Sequence, residues 1–136
     1  MGIRGEVEIL GNMMGFGKQK MVAIVDTVQT YVEGMVWGDG AMLRQAFHPK
    51  ACCIGHFDGE LEWDDLEAFI QGVSGEAAAP GSKPYWRINS MDVTGDMAIV
   101  QVENDWAGHR FDDTLTLLFH DDRWQIVSKL FYLRAA

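Results

Sequence analysis

The chain predicts an α+β fold: about three N-terminal helices, with a strongly curved antiparallel sheet wrapped over them. Three observations carry that prediction. Apolar residues recur at the helical period in the first half of the sequence. They alternate at period two in the second half, and Gly/Asp pairs fall between those runs where tight turns belong.

Taken in order, residues 1–20 stand apart as an N-terminal extension to a domain at 21–136. Gly2, Gly5, Gly11, Gly15 and Gly17 break every period there. Met21, Val25, Val28, Val32, Met35 and Val36 then form one helical stripe opposite Asp26, Thr30 and Glu33, with Ile24 and Tyr31 on its flanks. Gly38 ends this helix. Asp39 is placed to cap a second, short one through Met42, Leu43, Ala46 and Phe47, which Pro49 closes. A strand at 51–57 turns at Asp58-Gly59 and returns through 60–63. Asp64 with Glu67 is a capping pattern for a third helix, whose stripe is Leu66, Phe69, Ile70 and Val73. After a small-residue loop come four strands at 85–94, 97–106, 110–120 and 124–134.

Strict alternation along the last two strands leaves neither sheet face polar, although a one-sided antiparallel sheet should have a polar face. The expectation is a homodimer that covers the outer face, with Leu115, Leu117, Trp124, Ile126 and Leu130 in contact.

A length of 136 residues with 48% hydrophobic and 23% charged content suits one globular domain that needs no disulfide or structural metal. Twenty acids against 11 bases give a net charge of −9, and the bases are scattered singly. Nucleic acid and anionic membrane surfaces are thereby disfavoured as partners. No apolar run approaches the ~18 residues of a membrane span. Cys52 and Cys53 are adjacent and cannot staple a fold, which points to a reduced, cytoplasmic chain.

Five segments, in order and spacing, carry a family resemblance. They are Val-Glu-Gly-Met-x-x-Gly-Asp (32–39), Ala-Phe-His-Pro (46–49), Asp-Val-Thr-Gly-Asp-Met-Ala (92–98), Arg-Phe-x-Asp-x-Leu-Thr-Leu-Leu (110–118) and Trp-Gln-Ile-Val-Ser-Lys-Leu-Phe (124–131). Together they resemble the lumazine-binding branch of the nuclear-transport-factor-2-like superfamily over residues 21–134. The resemblance implies a cone with an internal pocket and dimers through the outer sheet face. That superfamily hosts isomerases, dehydratases, cyclases and binding modules, so the reaction must be argued from the pocket. Against its ketosteroid-isomerase members, the alignment puts Tyr31 at the tyrosine position, Gly55 at the base and Thr116 at the acid. A glycine accepts no proton, which removes that route.

Lys129 lies mid-strand among Val127, Phe131 and Leu133, where a lysine either snorkels to the rim or is held by an anion or a carboxylate. His48, Cys52, Cys53 and His56 have metal-ligand chemistry, but alternation sends Cys53 to the face opposite Cys52 and His56; no metal is expected. Six acids crowd residues 58–67 without the glycine and spacing of a calcium loop. Gly15-Phe16-Gly17-Lys18 lacks the first glycine and the hydroxyl of a phosphate loop, and no cofactor is expected. Abundant aromatics suit a pocket for a flat, largely apolar ligand with a few polar edges, which Asp105 and His109 could supply.

The leading expectation is a small-molecule-binding protein whose pocket draws on Lys129, Tyr31, Phe131, Trp63, Thr116 and Trp86. Its rival is a small isomerase or dehydratase using His56 or Asp105 as base and Tyr31 as donor. The third is a non-catalytic dimerisation module whose interior is filled by its own side chains.

Overall fold

The structure, a computed structural model, describes residues 14–136, with side chains from Gly17 onward. The first thirteen residues of the expected extension lie outside the described part. Helix α1 (Met14–Trp37) begins ahead of Met21, because Lys18, Gln19 and Lys20 are good helix formers that carry it upstream. Its buried stripe is rotated from the expected one. Ile24, Val28, Tyr31, Val32, Met35 and Val36 are buried while Met21 is 41% exposed, so Ile24 and Tyr31 stand at the centre of the stripe. Gly38, at φ +61°, ends the helix in the left-handed region that favours glycine.

Asp39 caps α2 (Gly40–Ala46), accepting from the amides of Ala41 at 3.0 Å and Met42 at 3.2 Å. Strand β1 (Phe47–Phe57) starts at once, so Phe47 and Pro49 belong to a strand and not to a helix end. Pro49 is tolerated because pairing to β6 is interrupted between Phe47 and Cys52. His48 does not cap a helix; its Nδ1 accepts from the Lys50 amide at 3.0 Å. After a turn with positive φ at Asp58 and Gly59 comes β2 (Glu60–Asp65). Asp65, one residue beyond the expected Asp64, caps α3 (Leu66–Ser74) by accepting from the Ala68 amide. Strands β3 (Trp86–Thr94), β4 (Met97–Trp106), β5 (His109–His120) and β6 (Arg123–Leu133) complete the chain.

All six strands form one open sheet in the order β2-β1-β6-β5-β4-β3. It is mixed and not purely antiparallel, because β1 lies parallel to β6 and so joins the early hairpin to the later meander. Helix α1 packs on β6 and β4, and α3 on β1 and β2, covering the concave face.

Two bulges bend the sheet. Thr116 pairs with Ser128 and Leu117 with Ile126, so Val127 is an extra residue on β6; Asn89 is extra on β3. The Val127 bulge also reverses parity within β6. Trp124 and Ile126 therefore face inward together with Lys129, which strict alternation denied. Leu115, Leu117, Trp124 and Ile126 are at most 5% exposed in the single chain and belong to its core, not to a dimer contact. Of that expected set only Leu130, 55% exposed, lies on the outer face. Each of the buried side chains contributes roughly 1.5–3 kcal/mol of transfer free energy.

Candidate functional site

Register places the inner side chains in rows across the strands. One row runs Asp64, Cys53, Lys129, Leu115, Val100, and the next Glu62, Gly55, Phe131, Asp113, Val102. Gly55 makes the second row possible. A Cβ there would sit 2.6 Å from the Phe131 carbonyl oxygen and 2.7 Å from its ring. The aromatic ring thus occupies the place a base would need.

Where these rows meet α3 and the β4–β5 turn, a cavity of about 420 Å³ opens. Met35, Phe57, Phe69, Phe111 and Phe131 supply apolar walls, and Lys129, Glu62, Asp64, Glu76 and His109 the polar points. Lys129 is 4% exposed, with its Nζ 4.6 Å from the ring centre of Phe69, 5.2 Å from Tyr31 and 5.3 Å from Phe131. Among the described residues no oxygen accepts from it and no carboxylate lies within ion-pairing distance. The three ring faces stabilise its positive charge by about 2 kcal/mol each at most, and leave its N–H donors unused.

Beneath it lies a second buried charge. Asp113 Oδ2 accepts from the Tyr31 hydroxyl at 2.5 Å and from Asn104 Nδ2 at 2.8 Å, while Oδ1 is buried with no partner. Tyr31 links the two charges, its hydroxyl on Asp113 and its ring face toward Lys129. Burial raises the Tyr31 phenol well above its ordinary value, and the Asp113 charge adds to the rise. Burial likewise pushes the Cys53 thiol up to about 12, against the opposing pull of Lys129. At the cavity wall, burial raises the Glu62 carboxyl, Asp64 raises it further, and Lys129 opposes both.

Of the residues singled out in the sequence, Tyr31, Lys129 and Phe131 come together here. The others do not. Thr116 faces outward with its hydroxyl 2.5 Å from that of Ser128, so the carboxylate opposite Tyr31 is Asp113. Trp63 is 66% exposed on the outer face beside Ile54. His56 is exposed on the same face, opposite Leu61 and Tyr132. Asp105 is half-exposed and paired with Arg110. Trp86 is half-buried at the far end of β3, opposite Asn104. Asp113 and Asn104 were not expected in the site, Glu62 was read as part of a solvated acidic run, and Phe69 as part of the third helix's core stripe. The available signal was Phe111-x-Asp113-x-Leu115-x-Leu117, which puts a carboxylate in an apolar slot.

A larger hollow of about 570 Å³ lies against the C-terminal strand end, lined by His56, Tyr132, Arg110 and Arg134 among others. Its arginines are already paired with carboxylates, so it offers no unpartnered cation. Among the described residues no group of three His, Cys, Asp or Glu side chains converges as a metal site would. Nor is any described helix long and apolar enough to cross a membrane.

A curved sheet folded over three helices around a part-polar cavity defines the nuclear-transport-factor-2-like class. Within it, residues 19–132 match the model of the family described as "Putative lumazine-binding", and the chain belongs to that family. It is similar to a nuclear-transport-factor-2-like protein of unknown function from Silicibacter pomeroyi. The two are 43% identical with TM-score 0.83, over 87% of this chain and 98% of that one. A Shewanella baltica protein, also of unknown function, is 26% identical with TM-score 0.78, over 87% and 96% of the two chains. Aldolase FrzH of Cladobotryum sp. is 26% identical over 81% of this chain and 88% of its own length.

Proposed function

We propose that the protein binds a small, largely apolar organic molecule in the 420 Å³ cavity and anchors it through Lys129. The observation that carries this is a cationic side chain, 4% exposed, on a cavity wall with no acceptor among the described residues. Desolvating an ammonium costs several kcal/mol, and a ligand carboxylate or carbonyl oxygen would offset much of it. The aromatic walls suit a flat ligand body. An open cavity of this size speaks against a module filled by its own side chains.

Calorimetric titration with benzoate tests the anchor. The parent should bind it, and Lys129→Met, which keeps the length and removes the charge, should bind at least about tenfold more weakly. Equal affinities would refute the anchor.

A second reading, an enzyme acting on a carbonyl compound, is favoured by the raised Glu62 carboxyl in the same cavity and by the aldolase among the relatives. Tyr31 has a positioning part in either case, since its proton is committed to Asp113.

The outer face supports a homodimer: Ile99, Leu130, Tyr132 and Trp63 are each at least 47% exposed on it. Sedimentation at micromolar concentration should give a dimer, and Leu130→Glu should shift it toward monomer. A parent that sediments as monomer refutes this. The free thiols of Cys52 and Cys53 favour a reducing, cytoplasmic setting.

A further inference from the structure

We infer that Lys129 is a nucleophile as well as an anchor: it condenses with an aldehyde or ketone bound in the cavity to form a protonated imine. This deepens the binding reading above and rests on it.

The argument begins with how the lysine is held. A structural lysine buried this deeply is normally tied by carboxylates that accept its N–H bonds, which fixes the nitrogen and occupies it. Here nothing among the described residues accepts from it. The rings of Phe69, Tyr31 and Phe131 surround the nitrogen at 4.6–5.3 Å, and ring faces attract positive charge without regard to which atoms are bonded to it. They stabilise a protonated imine as well as an ammonium. The nitrogen therefore keeps its bonding directions free while its charge is supported. Lys129 also projects from a sheet interior, where neighbours Cys53 and Leu115 fix the position of its stem.

The cavity also supplies proton carriers. Glu62, Asp64 and Glu76 share its wall with Lys129, and His109 stands at the β4–β5 turn. Burial holds the Glu62 carboxyl above its usual range, which favours a group that both accepts and returns a proton.

The step balances with these groups alone. One proton of the ammonium passes to Glu62 through water in the cavity they share, and the freed nitrogen pair attacks the carbonyl carbon. The C=O π pair moves to oxygen, which receives that proton to give a carbinolamine. A second nitrogen proton passes through Glu62 to the hydroxyl, the C–O bond breaks, and water leaves. Ammonium plus carbonyl become protonated imine plus water, with the charge unchanged and no other reactant. The electron-withdrawing nitrogen then acidifies the carbon next to the former carbonyl, which is what a carbon–carbon bond-forming or bond-breaking reaction requires.

The test is reductive trapping of the full-length protein. Benzaldehyde at stoichiometric concentration is added with sodium cyanoborohydride, and intact mass and peptide maps are recorded. The expected result is one adduct, the probe mass less one oxygen, on the peptide holding Lys129. That site should be labelled about tenfold faster than Lys50 or Lys83 on the surface. Lys129→Arg keeps the charge and cannot form the imine, so it should lose the selective adduct. Labelling spread evenly over the lysines, or selective labelling that persists in Lys129→Arg, overturns the inference. Benzoate binding that depends on Lys129 without selective trapping overturns the imine and leaves the anchor standing. Loss of both refutes the two readings together.

Discussion

Asp112 and Asp113 are neighbours on one strand and point to opposite faces of the sheet. Asp112 lies outward, 2.7 Å from Arg134, and that guanidinium holds its carboxyl below the usual carboxylate range. It belongs to a network in which Glu103 accepts from Tyr85, Asn89, Arg110 and Arg134 at 2.8–3.4 Å, and Arg110 also lies over the Tyr85 ring. Every charge in that network has an opposite charge beside it. Among the described residues, Asp113 lies inward and meets the neutral donors Tyr31 and Asn104 alone, while Lys129 meets rings alone. The outer network can be explained as structure: it ties β3, β4, β5 and the C-terminal end of the sheet together. The inner charges are buried and have no ion-pair partner among the described residues, an arrangement that suits a ligand site.

The contrast is most directly broken by mutating one acid on each face. Asp113→Ala strands the Tyr31 hydroxyl and the Asn104 amide in a dry interior, and should lower the unfolding free energy by about 3 kcal/mol in urea titrations. Glu103→Gln keeps size and one acceptor oxygen, and Arg110 and Arg134 retain Asp105 and Asp112 as partners, so its loss should be far smaller. Losses of similar size would show that the two faces do not differ in kind.

A second comparison sets the buried thiol against the exposed acids through pH. The Cys53 thiol rises from 9.0 to about 12 on folding, so its proton is bound more tightly in the folded chain. Its contribution is complete below pH 9 and is lost as pH climbs toward 12, at up to about 1.4 kcal/mol per pH unit. The raised Tyr31 phenol adds to that slope as pH nears 10, and does so equally in the parent and in a Cys53 variant. Thermal unfolding midpoints should therefore fall less steeply between pH 9 and 10 in Cys53→Ala than in the parent. Parallel slopes would mean that the interior around Cys53 admits water.

How much of this was legible in the residues follows from which interactions are local. Helices, turns and strand spans depend on neighbouring residues, and the stripe Leu66, Phe69, Ile70, Val73 is buried as its spacing required. The face assignment was not legible, because one extra residue at Val127 reverses parity and nothing in Ile126-Val127-Ser128 announces a bulge. The parallel pairing of β1 with β6 joins residues far apart in the chain and has no local mark either. Lys129 could be singled out since a charge in an apolar run is visible in one dimension. Its partner in interest, Asp113, could have been found the same way, as a carboxylate alternating with Phe111, Leu115 and Leu117 in the strand expected at 110–120. Gly55 is a further case: its glycine reads as an empty place in the site, yet its reason is the Phe131 ring packed against it.

The smallest effect is expected at the N-terminal end, where residues 17–22 join neither of the contrasted charge clusters. From Gly17 to Lys20 the side chains are exposed, and Met21 and Val22 are 41% and 56% exposed; the first wholly buried residue of α1 is Ile24. The contact found is Lys20 Nζ donating to the Gly95 carbonyl at 3.3 Å, an exposed bond to the β3–β4 turn. Removing residues 1–20 shortens α1 through the exposed positions 17–20 and leaves the Ile24, Val28, Tyr31, Met35 stripe that seats the cavity floor. The truncated chain should unfold in a single cooperative transition, less stable by under about 1 kcal/mol, and should bind benzoate as the parent does. Thermal and urea unfolding with a parallel titration checks both. Loss of cooperativity would place the extension in the core, and intact unfolding with lost binding would place it at the cavity mouth.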